Sequence, residues 1–152
     1  MTQTYSASTS VDIDAAPEAV WHALTDPALI AEYMHGTTVQ TDWSEGSPIT
    51  WAGEWQGSNY EDKGEVVTVD PPRRLAVTHW SPLTGDADEP ANYHHIGYDL
   101  EAIGDGRTRL TLTHGNSPTQ EAADQMISNG WRPTLEALKQ VVEGTPAAEE
   151  GP

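Results

Sequence analysis

Three histidines, His79, His94 and His114, each share the phase of apolar residues in an alternating run: Leu75-Val77-His79, His94-Ile96-Tyr98-Leu100 and Leu110-Leu112-His114. Side chains of a strand alternate between its faces, so an imidazole in phase with Leu and Val points at whatever those residues cover. Read as neighbouring antiparallel strands, the runs bring all three rings to one edge of one buried surface. Directly opposed residues there have Cβ atoms about 4.5–5.5 Å apart. Three chemistries fit such a cluster. It can be a polar rim that orients a ligand at the mouth of a cavity. It can be a three-histidine, zinc-type metal site completed by water. It can supply general acid-base catalysis by His79, His94 or His114, because imidazole titrates near neutrality. The rim is the reading adopted, with no metal and no cofactor expected. Asn92 and Asn116 flank the cluster and are placed to orient it, whereas His95 is out of phase and expected in solvent.

Other chemistry is thinner. Asp42 and Glu45 bracket Trp43, but paired carboxylates mean little in so acidic a chain. Asp62-Lys63 reads as a cross-strand charge pair or turn feature, since nothing apolar surrounds Lys63 to activate it. No phosphate loop, dinucleotide fingerprint or nucleophile elbow is present.

The aromatic residues suggest what the histidines would rim. The chain has six tryptophans and no phenylalanine, and a buried indole brings an N–H that needs a partner. Trp51 and Trp55 share the phase of Ile49; Trp21, Tyr33, Met126 and Trp131 fall on the apolar stripes of helical segments. Together with Tyr98 and the three histidines they form the candidate ligand-binding set: Trp21, Tyr33, Trp51, Trp55, His79, His94, Tyr98, His114, Met126 and Trp131. The plain alternative is that indoles fill the core in place of phenylalanine.

Periodicity and breakers supply the elements that must position these residues. Tyr5, Ala7, Thr9, Val11 and Ile13 alternate with polar residues as in a strand with one wet face. Pro17 suits the first position of a helix whose inner stripe is Val20, Trp21 and Leu24; Asp26-Pro27 starts a second, with Leu29, Ile30, Tyr33 and Met34 inward. Strands are then expected at 38–42, 49–55, 60–69, 74–80, 93–103 and 107–114, separated by Gly, Pro and polar turns. From Ala123 to Val142 apolar residues recur at three- and four-residue spacing, the pattern of a long amphipathic helix. Pro133 predicts a kink in it near 130–133, or a restart. One α+β domain at 1–144 and an unstructured tail at 145–152 are expected.

Composition narrows the partners. With 24 acidic against 7 basic residues and a formal charge of −17, the chain repels nucleic acid and anionic headgroups. Such an acid surplus suits a high-salt habitat or a merely acidic soluble protein equally well. Cysteine is absent, which excludes thiolate chemistry. With no signal-like start and no run of roughly 18 apolar residues, a cytoplasmic protein without a membrane span is expected. A homodimer through sheet edges is a further expectation.

The strings APEAVWHALTDPALI, DWSEGSPITWAGEWQGSNYEDKGEV, VDPPRRLAVTHWSPLTG, NYHHIGYDLE, TRLTLTHGN and GWRPTLEALKQVVE resemble the family related to the C-terminal domain of the activator of the ninety-kilodalton heat-shock protein ATPase, within the START-like (SRPBCC) superfamily. The resemblance covers residues 9–143. It implies a helix-grip fold in the order β-α-α-β-β-β-β-β-β-α, a curved antiparallel sheet around a long C-terminal helix with a hydrophobic cavity between. The function expected is binding, transport or sensing of a small hydrophobic, aromatic or cyclic molecule. The alternatives are co-chaperone-like activation of a heat-shock ATPase through protein interaction, and a small cyclase or hydrolase built on the histidines.

Overall fold

The structure, a computed structural model, describes residues 5–34, 36–55, 57–81 and 87–150; the side chains at 55, 58, 90 and 144–150 lie outside that description. The elements follow the expected order. Strand β1 (Tyr5–Ile13) leads into α1 (Pro17–Thr25) and α2 (Pro27–Tyr33). Six strands follow: β2 (Thr38–Gln40), β3 (Pro48–Trp55), β4 (Ser58–Asp70), β5 (Arg74–His79), β6 (His94–Gly104) and β7 (Arg107–Ser117). All pair antiparallel in one seven-stranded sheet of order β1-β7-β6-β5-β4-β3-β2. The first strand thus lies beside the last.

Local chemistry explains the boundaries. Pro17 and Pro27 each open a helix where a missing N–H costs nothing, and the Asp26 carboxylate accepts from the Ala28 N–H at 2.9 Å. Strand β2 is shorter than expected because Asp42 gathers a turn after it, accepting from the Ser44 N–H at 3.2 Å and the Ser47 hydroxyl at 2.5 Å. These bonds hold its carboxyl below the usual range. Glu45 instead accepts from the Val69 N–H at 3.0 Å, so the two acids serve separate backbone roles and form no paired site.

The core lies between one face of the sheet and the helices. Ile13, Leu75, Leu110 and Leu112 from the strands meet Val20, Leu24, Ile30 and Leu138 from the helices, all buried. The C-terminal helix is fastened across β1 by Lys139, whose ammonium donates to the Asp12 carbonyl at 2.8 Å, and by Glu143, which accepts from the Asp14 N–H at 2.6 Å.

That helix takes a form the sequence did not specify. Helix α3 (Gln120–Gln125) passes into a π-helical segment, Met126–Trp131, and then α4 (Arg132–Glu150). Pro133 has no N–H and its ring collides with the carbonyl four residues back. The wider turn relieves this: the Arg132 N–H reaches the Ile127 carbonyl, five residues back, and the Thr134 hydroxyl takes the Gly130 carbonyl at 2.8 Å. The apolar stripe therefore continues through a π-helical bulge, after which α4 restarts with Pro133 in its first turn. The unstructured tail expected at 145–152 is corrected over most of its length: the backbone of 145–150 continues α4, and 151–152 lie outside the described residues. Among the described residues no helix is long and apolar enough to cross a membrane.

Candidate functional site

Between the inner face of the sheet and the α3-π-α4 rod lies a cavity of about 340 Å³. Trp51 from β3, Tyr60 and Asp62 from β4, Val77 and His79 from β5, Ile96 and Tyr98 from β6 and His114 from β7 form its sheet side. Met126, Gly130, Trp131 and Thr134 close it from the helical side, with Met34, Thr37 and Glu54 completing the wall. The π segment has a direct role here, since its wide turn carries Met126, Gly130 and Trp131 to the wall. π-Bulges recur at functional sites for this kind of reason.

Strand parity holds for the histidines. On β5, Leu75 and Val77 are buried and His79 follows in phase; on β7, Leu110 and Leu112 are buried and so is His114. His79 opposes His94 directly, but His114 opposes Ile96, one step deeper. The rings therefore form a staggered row. His94 and His114 lie 4.7 Å apart between centroids. His79 turns the other way, its Nε2 2.9 Å from Asp62 Oδ2 and its ring edge-on to Trp51 at 5.0 Å. The Trp131 indole N–H donates to His114 Nδ1 at 3.0 Å. Among the described residues no three His, Cys, Asp or Glu side chains are arranged to hold a metal ion. Asp62 pairs with the His79 ring, and the Trp131 indole takes Nδ1 of His114.

Burial dominates the electrostatics. His114 is 1% exposed, and desolvation, then the charges of His94 and His79, push its pKa down to about 4. The ring is neutral at pH 7. Desolvation likewise raises Tyr98 and Tyr33 above the usual phenol range.

Of the ten candidate residues, Trp51, His79, Tyr98, His114, Met126 and Trp131 line the cavity. His94 stands against His114 without being part of the wall. Trp21 packs half-buried against the core, and Tyr33 is buried in it with its hydroxyl donating to the Ala23 carbonyl at 2.9 Å, so neither stands in the cavity wall. The Trp55 side chain lies outside the described residues. Asn116 donates to the carbonyls of Ala91 and Tyr93, at 2.9 and 2.7 Å, and Asn92 to that of Ala87 at 2.8 Å. They fasten the chain entering β6 and do not orient the imidazoles. His95 is exposed on the outer face, as expected.

Asp62 is a cavity-wall residue outside the candidate set. Its neighbour Lys63 bonds Asp88 and lies 5.7 Å from the Trp80 ring. Asp62 itself shares the inward phase of Tyr60, Gly64 and the buried Val66. That parity was the signal. Thr37 and Tyr60, joined at 2.9 Å between hydroxyls, add a second polar spot to the wall.

Comparison with known proteins agrees with this architecture. Residues 14–143 match the family described as Activator of Hsp90 ATPase homolog 1-like protein. The solution structure of ChR145 from Cytophaga hutchinsonii is 41% identical, with a TM-score of 0.80 over 94% of this chain and 97% of that one. The crystal structure of MLL2253 from Mesorhizobium loti is 25% identical, with a TM-score of 0.73 over 93% and 98% of the two chains. PFC0360w, an HSP90 activator from Plasmodium falciparum, shares the fold at 21% identity, with a TM-score of 0.70 over 91% and 96%. No curated protein sequence matches. With its seven-stranded sheet, long C-terminal helix and matched residues, the chain belongs to the Activator of Hsp90 ATPase homolog 1-like family.

Proposed function

We propose that this protein binds a small hydrophobic, aromatic or cyclic molecule in the cavity between sheet and C-terminal helix, to carry, sequester or sense it. One observation carries the reading. The 340 Å³ space has apolar and aromatic walls, Met34, Trp51, Val77, Ile96, Tyr98, Met126 and Trp131, with polar groups set among them: His79, His114, Asp62, Glu54, Thr134 and the Thr37–Tyr60 pair. Mostly apolar walls with a few convergent polar groups are the usual make-up of a small-molecule site, and this volume lies at the lower end of the usual range. The outer surface speaks less for a protein-docking role. Among the described residues the exposed large hydrophobics are Val67 and Met126, and Met126 belongs to the cavity wall.

Two wall residues are tryptophans, so occupancy is readable without a label. Titration with apolar aromatic compounds is expected to quench or shift tryptophan emission, and Trp51→Phe and Trp131→Phe should each remove a large part of the response. A silent titration across a chemically diverse panel would count against the cavity as a ligand site.

A further inference from the structure

We infer that the cavity selects an uncharged, elongated, apolar molecule with a hydrogen-bond donor at its β4 end and an acceptor oxygen at its β7 end. This rests on the reading of the cavity as a ligand site and adds the chemistry of the guest. It comes from two buried polar atoms that the protein leaves unmet.

The first is on His114. An indole nitrogen only donates, so the Trp131 N–H bonded to Nδ1 at 3.0 Å requires a lone pair there. The neutral ring must then carry its proton on Nε2. That nitrogen is buried and has no hydrogen-bond partner among the described residues. His114 lines the cavity, so an acceptor oxygen in the cavity would satisfy it. The second atom is on Asp62. Its Oδ2 is held by His79 at 2.9 Å, while Oδ1 is buried and has no partner among the described residues. Asp62 also lines the cavity, and its free oxygen calls for a hydroxyl or N–H. A buried group left without a partner is a standing penalty that a complementary ligand removes.

Position sets the shape. Asp62 is on β4 and His114 on β7, with β5 and β6 between them, so the two atoms are about three strand spacings apart, roughly 14 Å along the sheet and less across its curved face. Val77, Ile96 and Tyr98 line the intervening floor, and the Trp51 and Trp131 indoles also face the space. A flat molecule of two or three rings, polar at both ends, matches that outline. Among the described residues that line the cavity there is no lysine or arginine to receive an anion. A carboxylate at the β4 end faces Asp62, and one at the β7 end faces an imidazole that burial keeps neutral, in a chain of charge −17.

Three probes of similar length separate these terms: biphenyl, 4-acetyl-4′-hydroxybiphenyl and 4′-hydroxybiphenyl-4-carboxylate, titrated at pH 7.5 with tryptophan emission as readout. The hydroxy-ketone should bind at least about tenfold tighter than biphenyl, and the carboxylate at least about tenfold weaker than the hydroxy-ketone. His114→Phe and Asp62→Leu should each bring the hydroxy-ketone down toward biphenyl while leaving biphenyl itself bound. Should either variant fail to fold, the wild-type ring nitrogens report instead. By ¹⁵N NMR, His114 Nε2 should be the protonated nitrogen, and it should shift with the hydroxy-ketone but not with biphenyl. Equal affinities for all three probes, or a preference for the carboxylate, would overturn the inference and leave the cavity reading standing. Binding of none would overturn both.

Discussion

Gly64→Ala is expected to lower the melting temperature by roughly 6–12 °C, equivalent to about 3 kcal/mol in a chain of this size. A Cβ at Gly64 would lie 1.8 Å from the Thr78 carbonyl oxygen and 2.5 Å from its carbon. Those are backbone atoms, so no side chain can step aside. The contact exists because β4 and β5 depart from regular pairing at this point. Lys63 and Trp80 exchange N–H to carbonyl bonds of 2.9 and 2.7 Å, and the Glu65 N–H goes to the Thr78 hydroxyl at 2.9 Å instead of to a ladder carbonyl. The close approach is also what sets Asp62 beside His79. The variant should therefore lose ligand-induced changes in tryptophan emission as well as stability. Gly115→Ala is the control, because a Cβ there meets nothing nearer than 3.7 Å and should cost about 1 kcal/mol or less. Calorimetry of the two variants decides the matter: a Gly64→Ala melting point within 2 °C of the parent would show that the strands part without cost.

Acidification should cost the protein stability in a window that belongs to His114. Its pKa is about 4 in the folded state and near 6.5 when unfolded, so between those values the unfolded chain binds a proton that the native chain refuses. Stability then rises with pH across the interval. The contribution is complete above pH 6.5 and is lost as pH falls toward 4, and the distance between the two values corresponds to about 3 kcal/mol. The carboxylates that partners hold low, Asp12 by Arg109, Asp88 by Lys63 and Glu143 by Lys139, begin to lose stabilisation only at the foot of that range. Urea unfolding at several pH values should show the wild-type slope between pH 6.5 and 4, and His114→Gln should flatten it. Parallel curves for the two proteins would mean that His114 titrates normally.

Period-two alternation made much of this molecule legible before any coordinates. It placed His79 and His114 on the inner face because Leu75, Val77, Leu110 and Leu112 are strictly in phase with them, and it placed His95 outside. Turn residues marked every strand within a few positions. What alternation cannot supply is the offset between strands. Whether His114 faces His94 or Ile96 depends on the length and shape of the 105–106 turn, and that one step separates a convergent triad from a row. Helical stripes were ambiguous for another reason. Trp21 and Tyr33 do point inward, but periodicity does not distinguish a solid core from a hollow one, and the lining begins a residue later, at Met34. Asp62 is obscured by its neighbour: the adjacent Asp62-Lys63 charges read as a cross-strand pair or turn feature, whereas the structure sends Lys63 to Asp88 and leaves Asp62 in phase with the buried Val66.

The π segment leaves the closing rod with one surplus residue, and that surplus determines where the Trp131 indole points. Removing a single residue between 128 and 130 would restore the ordinary helical repeat and turn everything on its N-terminal side by about 100° relative to α4. Either the indole would leave His114, or the contact that ties α3 to β1, the Gln120 side-chain amide donating to the Ser6 carbonyl at 3.0 Å, would have to give way. If the indole leaves, His114 is no longer bound to one tautomer, and its proton can exchange between the two ring nitrogens. The shortened protein should then show averaged ¹⁵N shifts for that ring where the parent shows two distinct ones. A single count along a helix thus governs which hydrogen-bonding partner a buried imidazole can offer.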